Sequence, residues 1–406
     1  MLVALDRGDG ACERSLDELG ELVRTAGGEP VATITQARSR PDAHTLIGSG
    51  KVQEVREAVD ALGLDVCVIN EPLRPRQQRA LEATLEVPVV DRTEVILDIF
   101  AQRAQTREGK VQVELAQLEY LLPRLTGRGT VLSRLGGGIG TRGPGETALE
   151  VDRRRIRLRV NRLRQEIEDI RSRRTVERGS REVEGIFTVA LVGYTNAGKS
   201  TLLNALAGAD AYVDDRLFAT LDPMTRAVEL PDGHRVLMTD TVGFIDRLPH
   251  NLVAAFAATL EETVHADLLL HVVDASHPAM NQKIDAVYTV LEELGALDQD
   301  SVLVLNKIDR VSADARGELP SDEDVVMASA LTGEGLDRVR DAIAARAEHR
   351  LQRVTYLLPF DRLGILADLH NHGRVLEEKY VQAGCRVVAD VPREVAGRLR
   401  EYVATE

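Results

Sequence analysis

The sequence predicts an α/β chain of several domains, and three patterns carry that expectation. Over residues 1–100, short apolar runs alternate with stretches of helical spacing. Beyond them, two long apolar stripes recur at the helical period. From residue 186 an apolar run, a glycine-bearing loop and a further helical stretch follow without a break. Strand, loop and helix in that order build open parallel sheets. Alternation alone does not reveal an activity; particular residues must do that.

The first unit is expected over 1–105. Leu2–Leu5, Val31–Ile34, Val66–Ile69 and Val87–Val90 read as strands. Leu16, Leu19, Leu22 and Val23, then Val52, Val55, Val59 and Leu62, read as the buried stripes of helices between them. A helical hairpin is expected over 106–184. Val111, Leu115, Leu118, Leu122 and Leu125 mark one helix, and Leu149, Ile156, Val160, Leu163, Ile167 and Ile170 mark its partner, running from Ala148 to about Arg174. The connection holds six glycines and one proline within 136–145, with Arg134 and Arg142 beside them. Such a loop reads equally as a solvated linker or as backbone and arginines laid against RNA.

The next segment, 185–350, carries the chemistry. Gly193-Tyr194-Thr195-Asn196-Ala197-Gly198-Lys199-Ser200 fits G-x-x-x-x-G-K-[ST] between the run 186–192 and the helical stretch 201–206. Glycines let such a loop curl until its N–H groups cradle phosphates. Lys199 is expected on the β- and γ-phosphates and the Ser200 hydroxyl on Mg²⁺. Asp240-Thr241-Val242-Gly243 ends a strand read from Arg235. There the aspartate can hold Mg²⁺ through water, and Gly243 can offer its N–H to the γ-phosphate. Asn306-Lys307-Ile308-Asp309 ends the strand Val302–Leu305. A carboxylate at Asp309 accepts two hydrogen bonds from guanine and would be left unpaired by adenine, so GTP and GDP are the expected ligands. Ser329-Ala330-Leu331 fits a loop whose backbone N–H meets the guanine carbonyl. Between the first helix and the strand 227–230 lies Phe218-Ala219-Thr220-Leu221-Asp222, and both Thr220 and Thr225 can supply a hydroxyl to Mg²⁺. These strand-end motifs resemble the translation-factor class of P-loop GTPases.

Two residues qualify that reading. Phe244 follows Gly243 where many GTPases have a glutamine that orients the attacking water. Phenylalanine cannot do so, and hydrolysis is expected to be slow without a partner or a cation. Asn196 either caps a turn or helps hold K⁺ near the β- and γ-phosphates, as an asparagine at this loop position does in some GTPases. The tail, 351–406, has short apolar runs and two helical patterns, and reads as a small α+β domain. Its His370-Asn371-His372 reads as a solvated helix end rather than a metal site.

Composition narrows the classes. Three dispersed cysteines make no disulfide framework or metal cluster and suggest a reducing compartment. No apolar run approaches the roughly 18 residues of a membrane helix, and the first residues lack a signal-peptide core, so a cytoplasmic monomer without a membrane span is expected. The net charge is −14, yet 103–181 holds 19 basic against 10 acidic residues. A basic segment on an acidic chain suits a phosphate backbone.

With these strings in place the chain resembles the HflX family of ribosome-associated GTPases. The likeness rests on Gly48-Ser49-Gly50-Lys51, Val113–Leu125, the string Gly137–Glu146, the phosphate loop, Phe218–Asp222 and Asp240–Phe244. It covers nearly the whole chain and favours Thr220 over Thr225 as the Mg²⁺ hydroxyl. Met224-Thr225 departs from a common Thr-Thr. The resemblance implies a P-loop GTPase domain preceded by a small parallel α/β unit with a long helical hairpin and followed by the small C-terminal domain. It implies a Mg²⁺-dependent GTPase that binds the large ribosomal subunit and splits or recycles stalled or idle ribosomes. The hairpin and its glycine loop would lie near the peptidyl-transferase region, with Arg134 and Arg142 as RNA contacts. A ribosome-assembly or RNA-modification GTPase, or a nucleotide-gated scaffold, is the alternative.

Overall fold

We describe the computed structural model over residues 1–8, 10–125, 148–208, 217–231, 233–245 and 257–404. The chain divides into two compact units, one built on Met1–Glu168, the other on the chain from Asp169 onward. Among the described residues no helix is long and apolar enough to cross a membrane.

The first unit holds a parallel sheet of β1 (Leu2–Asp6), β2 (Thr33–Ala37), β3 (Cys67–Ile69) and β4 (Val89–Asp91), in the order β2-β1-β3-β4. Helices Cys12–Thr25, Ser49–Leu62 and Pro75–Leu85 connect the strands. Val3, Val55, Ile69, Leu81 and Val89 form part of the core. The second strand begins two residues later than the apolar run suggests, because Val31, beside Pro30, is 59% exposed and Leu2 pairs in register with Thr33. Asp91 closes β4 and caps the helix Arg92–Arg103, accepting from Glu94 N at 3.0 Å.

The hairpin's first helix is Arg107–Leu121, earlier than the apolar stripe, because the Thr106 hydroxyl caps it from Gly109 N at 3.0 Å. Its partner is Ala148–Glu184. Val111 and Leu115 pack with Val160, Leu163 and Ile167. Arg107 pairs with Glu166 at 2.6 Å and Glu114 with Arg159 at 2.6 Å, so the helices run antiparallel.

The second unit carries a six-stranded sheet: β5 (Thr188–Val192), β6 (Met224–Glu229), β7 (Arg235–Asp240), β8 (Leu268–Asp274), β9 (Ser301–Asn306) and β10 (Val325–Met327). Their order is β10-β9-β8-β5-β7-β6, parallel except for β6 against β7. This is a doubly wound arrangement, whose carboxyl strand ends make a natural ligand crevice. The helix Lys199–Ala207 buries Leu202, Leu203 and Leu206 against it. A three-stranded antiparallel sheet follows: β11 (Leu351–Leu358), β12 (Arg374–Val381) and β13 (Gly384–Pro392), in the order β11-β13-β12. Helices Gly364–His372 and Arg393–Arg398 cover it through Leu369 and Val395.

Candidate nucleotide site

The phosphate loop joins β5 to the helix Lys199–Ala207, and its backbone explains its residues. Gly193 has φ +151° and Gly198 φ +93°. A Cβ on Gly193 would lie 2.2 Å from Val272 O, and one on Gly198 would lie 2.3 Å from Asn306 Nδ2. Neither position takes another residue without displacing its neighbour. Asn196 is also left-handed, at φ 59°, a conformation asparagine tolerates better than most.

Lys199 opens the helix and is 6% exposed. Its ammonium donates to Gly193 O and Tyr194 O, each at 3.1 Å. Burial lowers its pKa to about 8, against the pull of Asp240. A buried cation resting on two loop carbonyls can exchange them for phosphate oxygens, which suit its charge better.

Ser200, Thr220 and Asp240 converge although they lie far apart in sequence. The Ser200 hydroxyl stands 2.7 Å from Thr220 Oγ1 and donates to Asp240 Oδ2 at 2.6 Å. Asp240 Oδ1 is buried with no hydrogen-bond partner among the described residues. Burial raises the Asp240 carboxyl, opposed by Lys199 and by bonds from Ser200 and Thr220. Two hydroxyls and a buried carboxylate with an unspent oxygen are a fitting donor set for a small hard cation.

The segment after Asp240 folds back on the loop. Thr195 N donates to Phe244 O at 2.7 Å, and Phe244 N donates to Gly193 O at 3.0 Å. The Thr241 hydroxyl donates to Leu191 O at 2.6 Å. A Cβ on Gly243 would lie 2.8 Å from Thr195 Cα and 3.0 Å from Lys199 Nζ. Phe244 is 2% exposed, its ring held in the interior.

The base-side residues are tied to the same loop. Asn306, buried at the end of β9, donates through Nδ2 to Ala197 O at 2.8 Å and accepts from Ala330 N at 3.0 Å. Lys307 donates to Asn196 O at 2.7 Å, and its ammonium lies 3.5 Å from Asn196 Oδ1. The Ser329 hydroxyl donates to Asp309 Oδ1 at 2.5 Å, which fixes that carboxylate. Ala330 N is spent on Asn306, whereas Leu331 is 76% exposed.

The structure thus gathers Gly193–Ser200, Thr220, Asp240–Gly243, Asn306–Asp309 and Ser329–Ala330 around the carboxyl ends of β5, β7, β9 and β10. Phe218 belongs to the first unit, where its ring meets Phe100 edge-on at 4.7 Å, and it is 2% exposed. Ala219, Leu221 and Asp222 lead from it toward β6, and Leu221 is buried. Arg134, Arg142 and the glycine loop 136–145 lie outside the described residues. Asp274 belongs to none of the sequence motifs: it ends the apolar strand β8 and pairs with Lys307 at 2.9 Å. An acidic residue closing a buried strand was its only signal.

The chain is similar to known proteins along most of its length. Residues 13–101 match a family model described as GTP-binding GTPase N-terminal, 103–181 one described as GTP-binding GTPase Middle Region, and 188–307 one described as 50S ribosome-binding GTPase. A protein named GTPase HflX from Caldanaerobacter subterraneus subsp. tengcongensis is 48% identical over 96% of this chain and 90% of its own length. Its namesake from Escherichia coli K12 is 47% identical over 85% of this chain and 82% of its own. A GTP-binding protein from the archaeon Sulfolobus solfataricus, solved with GDP, is 24% identical at a TM-score of 0.43, covering 86% of this chain and 99% of that one.

Proposed function

The chain belongs to the HflX family of GTPases, and from that premise we propose that it is Mg²⁺-dependent, binds the large ribosomal subunit in its GTP state, and splits or recycles stalled or idle ribosomes. The observation that best supports a γ-phosphate switch is the meeting of Ser200, Thr220 and Asp240, with hydroxyls 2.7 Å apart and one aspartate oxygen unspent. Domains over 1–105, 106–184, 185–350 and 351–406 are the proposed plan.

The chain's activity is the hydrolysis of GTP to GDP and phosphate. In the proposed site, Lys199 leaves the carbonyls of Gly193 and Tyr194 and takes the β- and γ-phosphates. The loop's N–H groups hold the remaining phosphate oxygens. Ser200 and Thr220 would ligate Mg²⁺, with Asp240 behind them; when bound, the ion neutralises charge on the phosphates. Gly243 gives its N–H to the γ-phosphate, so GTP loosens the Phe244 pairing with Gly193 and Thr195, and GDP restores it. Asp309, held by Ser329, reads the guanine edge, and the loop Ser329-Ala330-Leu331 meets the carbonyl through its backbone.

Phe244 cannot orient water, so intrinsic turnover is slow and the large subunit stimulates it. K⁺ at Asn196 is a second source of help. It requires the amide oxygen to turn from Lys307, now 3.5 Å away. The hairpin with its basic excess is the proposed ribosomal RNA contact, through Arg134 and Arg142. The test is a sucrose gradient of intact ribosomes with the protein. Subunits are expected to separate with a non-hydrolysable GTP analogue and not with GDP. Ribosomes that stay joined in both would overturn the splitting role.

A further inference from the structure

Lys307 stands between the base-binding and phosphate-binding halves of the site, and a residue outside the motifs holds it there. β8 and β9 run parallel with Asp274 in register with Asn306. Directly after Asn306, Lys307 adopts left-handed backbone at φ 61°. Its ammonium then reaches three oxygens: Asn196 O at 2.7 Å, Asn196 Oδ1 at 3.5 Å and an Asp274 carboxylate oxygen at 2.9 Å. An ammonium has three protons to give, so its directions are all occupied.

Asp274 is itself fixed. Ser276 donates to Asp274 Oδ1 from both its N–H, at 3.0 Å, and its hydroxyl, at 2.6 Å. Ala275 N donates to Asn306 O at 2.9 Å. One carboxylate oxygen is thereby spent locally, and Oδ2 faces Lys307. Burial on its own would raise this carboxyl, but the bonds from Ser276 and Lys307 and the lysine's charge outweigh it and hold it below the usual range. The pair's side chains are only 17% and 15% exposed, so neither is the freely hydrated partner of a surface pair.

We propose that Asp274 is a positioning residue for guanine-nucleotide binding: it pins the Lys307 ammonium against the Asn196 carbonyl, holding the lysine's aliphatic stem as a fixed surface beside the base. The inference rests on the reading of 193–309 as the GTP site. A lysine stem carries several rotatable bonds, and without its anchor it samples many rotamers. Its ordering would then be charged against each nucleotide that binds. The sign of the effect separates this role from a simple charge effect. Removing a carboxylate near an anion-binding loop should tighten nucleotide binding by electrostatics alone. Removing an anchor should weaken it.

The experiment is titration of the full chain with fluorescent GDP, with inosine diphosphate as competitor. Wild type must bind GDP; if it does not, the GTP-site reading fails before Asp274 is at issue. Asp274→Asn keeps the shape and the acceptor for Ser276. It is expected to weaken GDP binding about tenfold, the scale of one charge-assisted hydrogen bond. In a Lys307→Met background the same substitution is expected to do nothing further, since there is no ammonium left to place. GDP and inosine diphosphate should weaken by one factor, because the guanine edge is read by Asp309. Ser276→Ala, at an exposed residue, is a second route that spares the fold; it should give a smaller loss, also absent in the Lys307→Met background. Tighter or unchanged binding in Asp274→Asn, an equal loss with and without Lys307, or a changed preference for GDP over inosine diphosphate would each overturn the proposal.

Discussion

Replacing Gly198 by Ala tests whether the phosphate loop and the base-recognition strand form one interlocked site. The new Cβ would lie 2.3 Å from Asn306 Nδ2, the atom that donates to Ala197 O at 2.8 Å. Restoring ordinary contact requires a shift of roughly 1 Å, enough to break that bond. The backbone adds its own penalty, since φ is +93° and an L side chain there costs about 1–2 kcal/mol. A broken buried hydrogen bond adds about 1–3 kcal/mol. Their sum, about 3 kcal/mol, is roughly a hundredfold in affinity. Fluorescent GDP titration reads it, with circular dichroism to confirm folding. In an Asn306→Ala background the clash is gone, and only the backbone part, about tenfold, should remain. Gly198→Ala binding GDP within about threefold of wild type, or losing equally in both backgrounds, would refute the interlock.

Asp309→Asn should reduce GTP affinity by at least about tenfold and favour xanthosine triphosphate, because each charged hydrogen bond contributes about 1.5–3 kcal/mol; unchanged GTP binding would remove the base-reading role. Burial, with a smaller push from Lys199, lowers the His271 imidazole to about 4, and both ring nitrogens lack partners among the described residues. An unfolded imidazole titrates near about 6.5. The native state therefore binds fewer protons, stability is full above about 6.5, and about 3 kcal/mol is lost as pH falls toward 4. Urea midpoints for His271→Leu should vary less over that window than those of wild type; parallel curves would contradict this. GTP turnover should rise with large subunits, and faster turnover in K⁺ than in Na⁺ should vanish in Asn196→Ala; equal rates in both salts would remove the cation.

Much of the site was legible because its residues act at fixed spacings along single strand-loop-helix units. The glycine positions of 193–198 follow from backbone geometry, and Asn306–Asp309 ends an apolar strand as expected. Less legible were features made by backbone or by distant pairing. The link of Phe244 to Gly193 and Thr195 uses main-chain atoms alone, so no side chain signals it. Asp274 gains its meaning only when β8 lies beside β9. Strand β12 shows a similar limit: most of its positions are exposed and several charged, so no apolar alternation marked it. The long helix extends to Glu184, beyond its expected end near Arg174, and the stripe that stops at Ile170 could not mark these last, mostly polar turns.

The most direct test of the central claim is sedimentation of the protein with purified large ribosomal subunits. Wild type should pellet with them under a non-hydrolysable GTP analogue and stay in the supernatant with GDP. Thr220→Ala should lose that difference while still binding GDP. Equal pelleting of wild type in both nucleotides, or none in either, would contradict a γ-phosphate-gated ribosome binder.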